Sequence, residues 1–305
     1  MIPKIIHYFY DDVQIYKKST NPTFRICYTS WKMNLPDYEF KLWHVEMPEF
    51  QDMLKQSRFL RICYKEKMWA FIADYVRHYA LYNYGGVYID TDVQVLKTFD
   101  AFLGAGLFCS IEGDIRNGMN IPETAVLGAE KHHSIIKKTL DLYNSEEIFK
   151  VDYLIDPIVF GKVLYEELGF SKIEYSSPEK EIAASKYYKQ ESITLNDIEL
   201  YKSQQPYINK KSHVAVFPSE FFCPTYVAFK NLAITDKTVA IHWNSSSWWK
   251  DLKKIYKLQA NRFNNPLKKF FYGNAIDISR IISCIVFKKS ARKKFRSFLT
   301  NYLMK

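Results

Sequence analysis

The chain has 305 residues, 48% hydrophobic and 17% aromatic, which supplies a real core and excludes a disordered chain. It carries 43 Lys and Arg against 33 Asp and Glu, a formal net charge of +10, and five scattered cysteines with no C-x-x-C pair, so neither a disulfide framework nor a structural zinc site is indicated. MIPKIIHYFYDD contains no leader-like apolar segment, and no run reaches the roughly 17–25 apolar residues of a spanning helix, so a protein of the reducing cytosol, not integral to a membrane, is expected.

In chain order, the β-branched and aromatic run IPKIIHYFY predicts a strand. Asn21 and Pro22 supply an N-cap and a first-turn proline for a helix through Trp31, Leu35-Pro36 stops it, and YEFKLW resumes as a strand. A helix is predicted from about Lys65 to Asn83, closed by Gly85-Gly86, which leads into the short strand Val87-Tyr88-Ile89. Residues 113–124 read as a loop and 133–143 and 157–168 as helices, while 174–212 is polar without clean periodicity. Strands alternating with helices predict an α/β fold with a mostly parallel sheet covered on both faces.

Charge is unevenly placed. Residues 268–305 hold ten Lys or Arg against one acid, a local +9 that leaves +1 for the other 267 residues. Ile278, Ile281, Ile282 and Ile285 recur there at the spacing of one helical face. A catalytic body of residues 1–266 and a basic amphipathic tail of residues 267–305 are therefore expected. The tail suits an anionic membrane surface, with packing on the body as the alternative; no base-reading module accompanies it, so nucleic acid is not the expected partner.

Asp90-Thr91-Asp92 follows the strand at its carboxyl end, where open α/β sheets bind ligands. Residues i and i+2 share one face of an extended strand, so the two carboxylates are expected to converge, and a divalent cation would relieve their repulsion. Asp74 and Arg77 share one face of the preceding helix and are expected to border the same cleft; a surface pair is the alternative. His78, His132, His133 and His213 are assigned to surface or packing roles.

The stretch AFIADYVRHYALYNYGGVYIDTDVQVLK resembles the sugar-binding region with D-x-D motif of glycosyltransferase family 32. IPKIIHYFY, CYTSWKMNLPDYEFKLW, VFPSEFFCPT and AIHWNSSSWW resemble further blocks of that family, in order, over roughly residues 1–105 and 213–250. The resemblance implies a GT-A, Rossmann-like nucleotide-sugar-binding fold with a mostly parallel mixed sheet, a divalent Mn²⁺ or Mg²⁺, and retaining transfer of a hexosyl unit, from a UDP-sugar as the favoured donor, to a saccharide or lipid-linked saccharide. It further implies that Asp90, Asp92 and His242 hold the metal, that Asp74 and Arg77 grip the transferred sugar, that His7, Tyr8, Tyr10 and Tyr88 serve the nucleotide, and that Ser247 and Trp248 hold the leaving diphosphate. Tyr10 stands at a family tryptophan and Trp243 at a second histidine.

Together with the basic tail, this predicts a bacterial enzyme of capsule or lipopolysaccharide synthesis, peripheral on the inner face of the cytoplasmic membrane. Two other classes are weighed. A haloacid dehalogenase-like phosphatase also opens on D-x-D, but its pattern wants Thr or Val where Gln94 stands. A non-catalytic protein would keep the nucleotide site and the membrane-binding tail without turnover.

Overall fold

The computed structural model describes residues 1–11, 21–112, 121–151, 154–168, 207–209, 213–224, 234–245 and 252–274. The chain opens with β1 (Ile5–Phe9), α1 (Pro22–Asn34) and β2 (Glu39–Trp43), then α2 (Pro48–Gln56), α3 (Arg58–Lys65) and α4 (Trp69–Tyr84). There follow β3 (Gly86–Ile89), β4 (Val93–Val95), β5 (Leu107–Glu112), β6 (Ile121–Ala129), α5 (Ser134–Asn144) and α6 (Asp156–Glu167). The last described elements are β7 (Tyr207–Asn209), β8 (Val214–Phe217), β9 (Ala240–His242), α7 (Leu252–Gln259) and α8 (Pro266–Gly273).

Seven strands form one sheet in the order β2-β1-β3-β6-β5-β8-β7, and β4 pairs with β9 in a separate two-stranded sheet. Pairing is parallel for β2/β1, β1/β3 and β5/β8 and antiparallel for β3/β6, β6/β5 and β8/β7. Five strands therefore run one way and two, β6 and β7, the other: an α/β fold on a mixed, mostly parallel sheet. Alternate residues feed opposite faces, as the pleat requires. Phe9 and Tyr88 join one apolar cluster with α2 to α6, while Ile6, Tyr8, Val87 and Ile89 join the other with Phe24, Cys27 and Trp31 of α1.

Local chemistry explains most boundaries. The Asn21 side chain accepts from the amides of Thr23 and Phe24, so α1 begins where a capping residue precedes proline. The helix expected from about Lys65 to Asn83 is α4, which starts only at Trp69, because Lys65 ends α3 and a break separates the two. Lys67 adopts φ 54°, its amide donates to the Tyr64 carbonyl and that of Met68 to Cys63, the paired hydrogen bonds of a Schellman cap. A lysine fills the left-handed position that glycine usually marks, so the break carries no glycine signature. The expected loop over 113–124 is also corrected: residues 121–124 open β6, and 113–120 lie outside the described residues.

At the end of α4 the glycines are required. Gly85 has φ 67° and Gly86 φ 119°, and a Cβ on Gly86 would sit 2.6 Å from the Ile5 carbonyl oxygen. That close approach lets β3 enter the sheet beside β1 and delivers Asp90 to the sheet edge. The expected tail helix lies beyond residue 274, outside the described residues; α8 spans the expected 266/267 boundary. Among the described residues no helix is long and apolar enough to cross a membrane.

Candidate active site

The strand ends at Ile89, and Asp90 and Asp92 occupy a tight turn into β4, closed by the Val93 amide donating to the Asp90 carbonyl at 3.0 Å. The carboxylates thus meet through a turn and not, as the spacing suggested, through the pleat of one strand. The β4/β9 ladder pairs Val93 with His242 and brings the imidazole to the same point. Asp90, Asp92 and His242 each present one ligand atom, all within 4.8 Å of one another. Their side chains are 28%, 17% and 15% exposed, so the cluster is reachable yet shielded.

Each group is also held by the protein. Asp90 Oδ1 accepts from Arg77 Nη2 at 2.8 Å, and Asp92 Oδ2 accepts from the Ser245 amide at 2.8 Å. His242 Nδ1 lies 3.1 Å from Glu123 Oε1, while Nε2 lies 3.5 Å from Asp92 Oδ1. Two carboxylate oxygens and one imidazole nitrogen are a donor set that suits a divalent cation of the Mg²⁺ to Mn²⁺ class. The three groups also act on one another electrostatically, with His242 and Asp92 drawn into an ion pair that a bound cation would replace. Burial pushes the Asp90 carboxyl up, with Arg77 opposing. Burial also acts on Asp92, but His242 and the Ser245 amide outweigh it and hold the carboxyl below the usual carboxylate range. For His242, burial favours the neutral ring and is outweighed by Asp92, so the imidazole is drawn toward its charged form.

Behind the cluster, Arg77 is a buried hub and not a surface residue, being 2% exposed. Its Nη1 donates to Asp74 Oδ1 at 3.1 Å, Thr124 Oγ1 at 3.1 Å and Asp156 Oδ2 at 2.6 Å, and the guanidinium lies 4.7 Å from the centre of the Tyr88 ring. Asp156 is fully buried at the start of α6, where the helix N-terminus favours negative charge, and its Oδ1 accepts from His78 Nε2 and the Tyr143 hydroxyl at 2.7 and 2.9 Å. Burial alone would raise the Asp156 carboxyl, but His78 and Arg77 outweigh it and hold it low. Asp74 shares the same arginine with fewer donors, and burial raises it well above its ordinary value.

The expected nucleotide residues fare differently. His7 is buried, its Nδ1 accepting from Trp43 Nε1 and its Nε2 donating to the Gly85 carbonyl; with both nitrogens engaged inside the protein, it is a structural histidine and not the expected ligand of a nucleotide. Tyr8 and Tyr88 are likewise corrected: Tyr8 is 2% exposed against Trp31, and Tyr88 is 1% exposed beneath Arg77, so neither ring presents a face to a ligand. Tyr10 lies partly exposed just past β1, at the same sheet edge as Asp90, with its ring on Phe24. Ser247 and Trp248 lie outside the described residues.

Sequence reasoning passed over Glu123, Thr124, Tyr143 and Asp156, and set His78 aside as surface or packing. Asp156-Pro157 is a recognisable helix start, but its partner Arg77 is 79 residues away, and that separation hides the pairing. Glu123 sat in a stretch read as loop.

Comparison with known proteins now bears on this geometry. Residues 22–108 match the family model described as "Glycosyltransferase sugar-binding region containing DXD motif". An uncharacterized glycosyltransferase of Acanthamoeba polyphaga mimivirus is 28% identical over 138 residues, covering 44% of this chain and 53% of that protein, so the match spans about half the length of this curated relative. Among solved structures, PaToxG glycosyltransferase matches with TM-score 0.42 and 20% identity over 55% of this chain and 70% of that one. A glycosyltransferase involved in glycosylation of the major capsid of PBCV-1 matches with TM-score 0.40 and 13% identity over 82% and 98%. The matched segment contains α4, β3 and both acids of the turn, so the part of this chain that is similar to a glycosyltransferase sugar-binding region is the part that carries Asp90 and Asp92.

Proposed function

We propose that the chain is a GT-A-type glycosyltransferase that moves a hexosyl unit from a nucleotide-sugar, UDP-linked by preference, to a saccharide or lipid-linked saccharide, with retention of configuration. The observation that carries this reading is the convergence of Asp90, Asp92 and His242 at the carboxyl edge of β3, inside and opposite the matched region. These three residues would hold Mn²⁺ or Mg²⁺, and a cation there supplies neutralisation of the charge that develops on a departing diphosphate.

The remaining chemistry belongs to the chain. The bond from the anomeric carbon to the diphosphate oxygen breaks, a bond to the acceptor hydroxyl oxygen forms, and the hydroxyl proton passes to the leaving diphosphate. Arg77 fixes Asp90 and fills the floor behind it, and Asp74, 15% exposed beside Arg77, is placed to accept a hydrogen bond from a sugar hydroxyl. Asp156 is fully buried and committed to three donors, so it is no nucleophile. Attack by the acceptor on the same face as the leaving group, as the family resemblance implies, is the course proposed over a covalent glycosyl intermediate.

The test is a panel of nucleotide-sugars assayed for Mn²⁺-dependent hydrolysis and transfer. Turnover that needs both Mn²⁺ and Asp92 supports the proposal. Nucleotide binding without turnover selects the non-catalytic alternative, and metal-dependent release of phosphate from simple monoesters selects the phosphatase. A trapped covalent sugar adduct would overturn same-face attack.

A place on an anionic membrane surface, in surface polysaccharide synthesis, has separate support. On α8, Leu267 and Phe270 are 68% and 59% exposed three residues apart, beside Lys268 and Lys269, and the chain continues into the basic segment. Apolar side chains flanked by cations match an interfacial helix. Sedimentation with phosphatidylglycerol vesicles, weakened in Leu267→Ser/Phe270→Ser and in 0.5 M salt to different degrees, is the expected result; equal behaviour with neutral vesicles would remove this reading.

A further inference from the structure

We propose that Glu123 is a positioning residue that selects which nitrogen of His242 faces Asp90 and Asp92. The proposal rests on the reading of that cluster as a cation site. Glu123 is 2% exposed in β6 and is not a loose side chain. Its Oε1 accepts from the Ala125 amide at 2.7 Å and its Oε2 from the Val126 amide at 3.1 Å. Pairing between β5 and β6 slips here: Phe108 faces Gly128 while Ser110 faces Glu123, so β6 carries extra residues over that interval. The carboxylate takes up amides within the irregular stretch, and in doing so is clamped at the position where Oε1 meets His242 Nδ1 at 3.1 Å.

A carboxylate has no proton to give, so Nδ1 must carry the N–H on that side. Nε2 is then the nitrogen that offers its lone pair to a cation, and it is the one that faces Asp92 Oδ1. The amides of Ala125 and Val126 donate to the two oxygens of Glu123, and His242 Nδ1 lies 3.1 Å from Oε1 as an ion-pair contact that is off the line of a hydrogen bond. Glutamine at this position has one oxygen and an NH₂ group, so one of these three nitrogens must face another donor, or the imidazole must turn or change tautomer. Partners of this kind set the orientation and basicity of a ligating imidazole, and their loss typically weakens metal binding about 10–100-fold.

The experiment titrates Mn²⁺ alone into wild type, Glu123→Gln, His242→Ala and the double variant, reading free Mn²⁺ by electron paramagnetic resonance, with thermal melting of each. If Glu123 acts through His242, Glu123→Gln weakens binding about 10–100-fold with His242 present and by less than about 3-fold in the His242→Ala background. Equal weakening in both backgrounds would indicate a general effect of charge or fold and overturn the proposal, as would no weakening in either. Should Glu123→Gln fail to fold, Glu123→Asp draws the carboxylate back by one methylene and is judged by the same two-background comparison. A wild-type protein that does not bind Mn²⁺ fails before any variant is made; that result removes the cation site itself and this proposal with it.

Discussion

Asp156 Oδ2 lies 2.6 Å from Arg77 Nη1, and neither side chain reaches the surface. Arg77 in turn holds Asp90, so a carboxylate at the start of α6 fixes the position of one in the turn after β3. Removing one partner of a buried ion pair leaves the other charge without compensation and typically costs about 3–5 kcal/mol. Asp156→Ala is therefore expected to destabilise the fold by about that amount, measured by urea denaturation, with Asp156→Asn costing less because the amide oxygen still accepts one hydrogen bond. A change below about 1 kcal/mol in Asp156→Ala would mean that the cluster is relaxed in solution.

The two acids of the turn are expected to behave differently when truncated. Asp90→Ala strips Arg77 Nη2 of its acceptor, and an unsatisfied buried donor costs about 1–3 kcal/mol, so this variant should lose both Mn²⁺-dependent turnover and thermal stability. Asp92 is bonded instead to His242 and the Ser245 amide, and not to the arginine hub. Asp92→Ala should abolish turnover with a smaller drop in melting temperature. Parallel assays of UDP-sugar hydrolysis and melting separate the two; equal melting losses would contradict the placement of Asp90 on the arginine hub.

Much of this architecture was legible because it is written locally. Asn21-Pro22 announces α1, Gly85-Gly86 ends α4, and the Asp90 and Asp92 pair follows a four-residue apolar strand, so the sheet edge and its acids were readable from neighbours in sequence. What stayed hidden depends on partners far apart in the chain or on backbone choices with no residue signature. Arg77 reads as a cleft residue beside Asp74, and its place as a buried hub shows only when α6 brings Asp156 against it. His7 reads as a ligand until Trp43 and Gly85 are seen to occupy both its nitrogens. The break between α3 and α4 rests on Lys67 in a conformation that a lysine does not advertise.

Gly86→Ala is expected to damage both stability and the site. The residue sits at φ 119°, a region L side chains rarely adopt, and the new Cβ would meet the Ile5 carbonyl at 2.6 Å and His7 Nε2 at 3.0 Å. Strain of this kind costs on the order of 1–3 kcal/mol before any clash is counted. Relief requires β3 to move away from β1, which shifts Asp90. Denaturant midpoints of Gly86→Ala against Gly104→Ala, where nothing lies within 4 Å of the added Cβ, provide the measurement. The expected result is a large loss at 86 and little change at 104.

His7 makes stability depend on pH in a defined window. Burial is the main cause that lowers its pKa from 6.5 to about 4, with the nearby Lys41 charge adding to it and the Gly85 carbonyl opposing. The folded protein therefore keeps the ring neutral where the unfolded chain binds a proton, so the unfolded state takes up more protons between pH 6.5 and about 4. Stability is complete above pH 6.5 and falls as pH drops through this window, by about 2 kcal/mol at pH 5 and about 3 kcal/mol once pH 4 is passed. Geometry gives the same sign, because a second ring proton would have to point at the Trp43 indole N–H that Nδ1 now accepts. His7→Gln carries no group that titrates in this range, so its denaturation midpoint should be lower than wild type at pH 7.5 but fall less on moving to pH 5. Parallel pH slopes for the two proteins would show that His7 takes up its proton in the folded state as readily as in the unfolded chain.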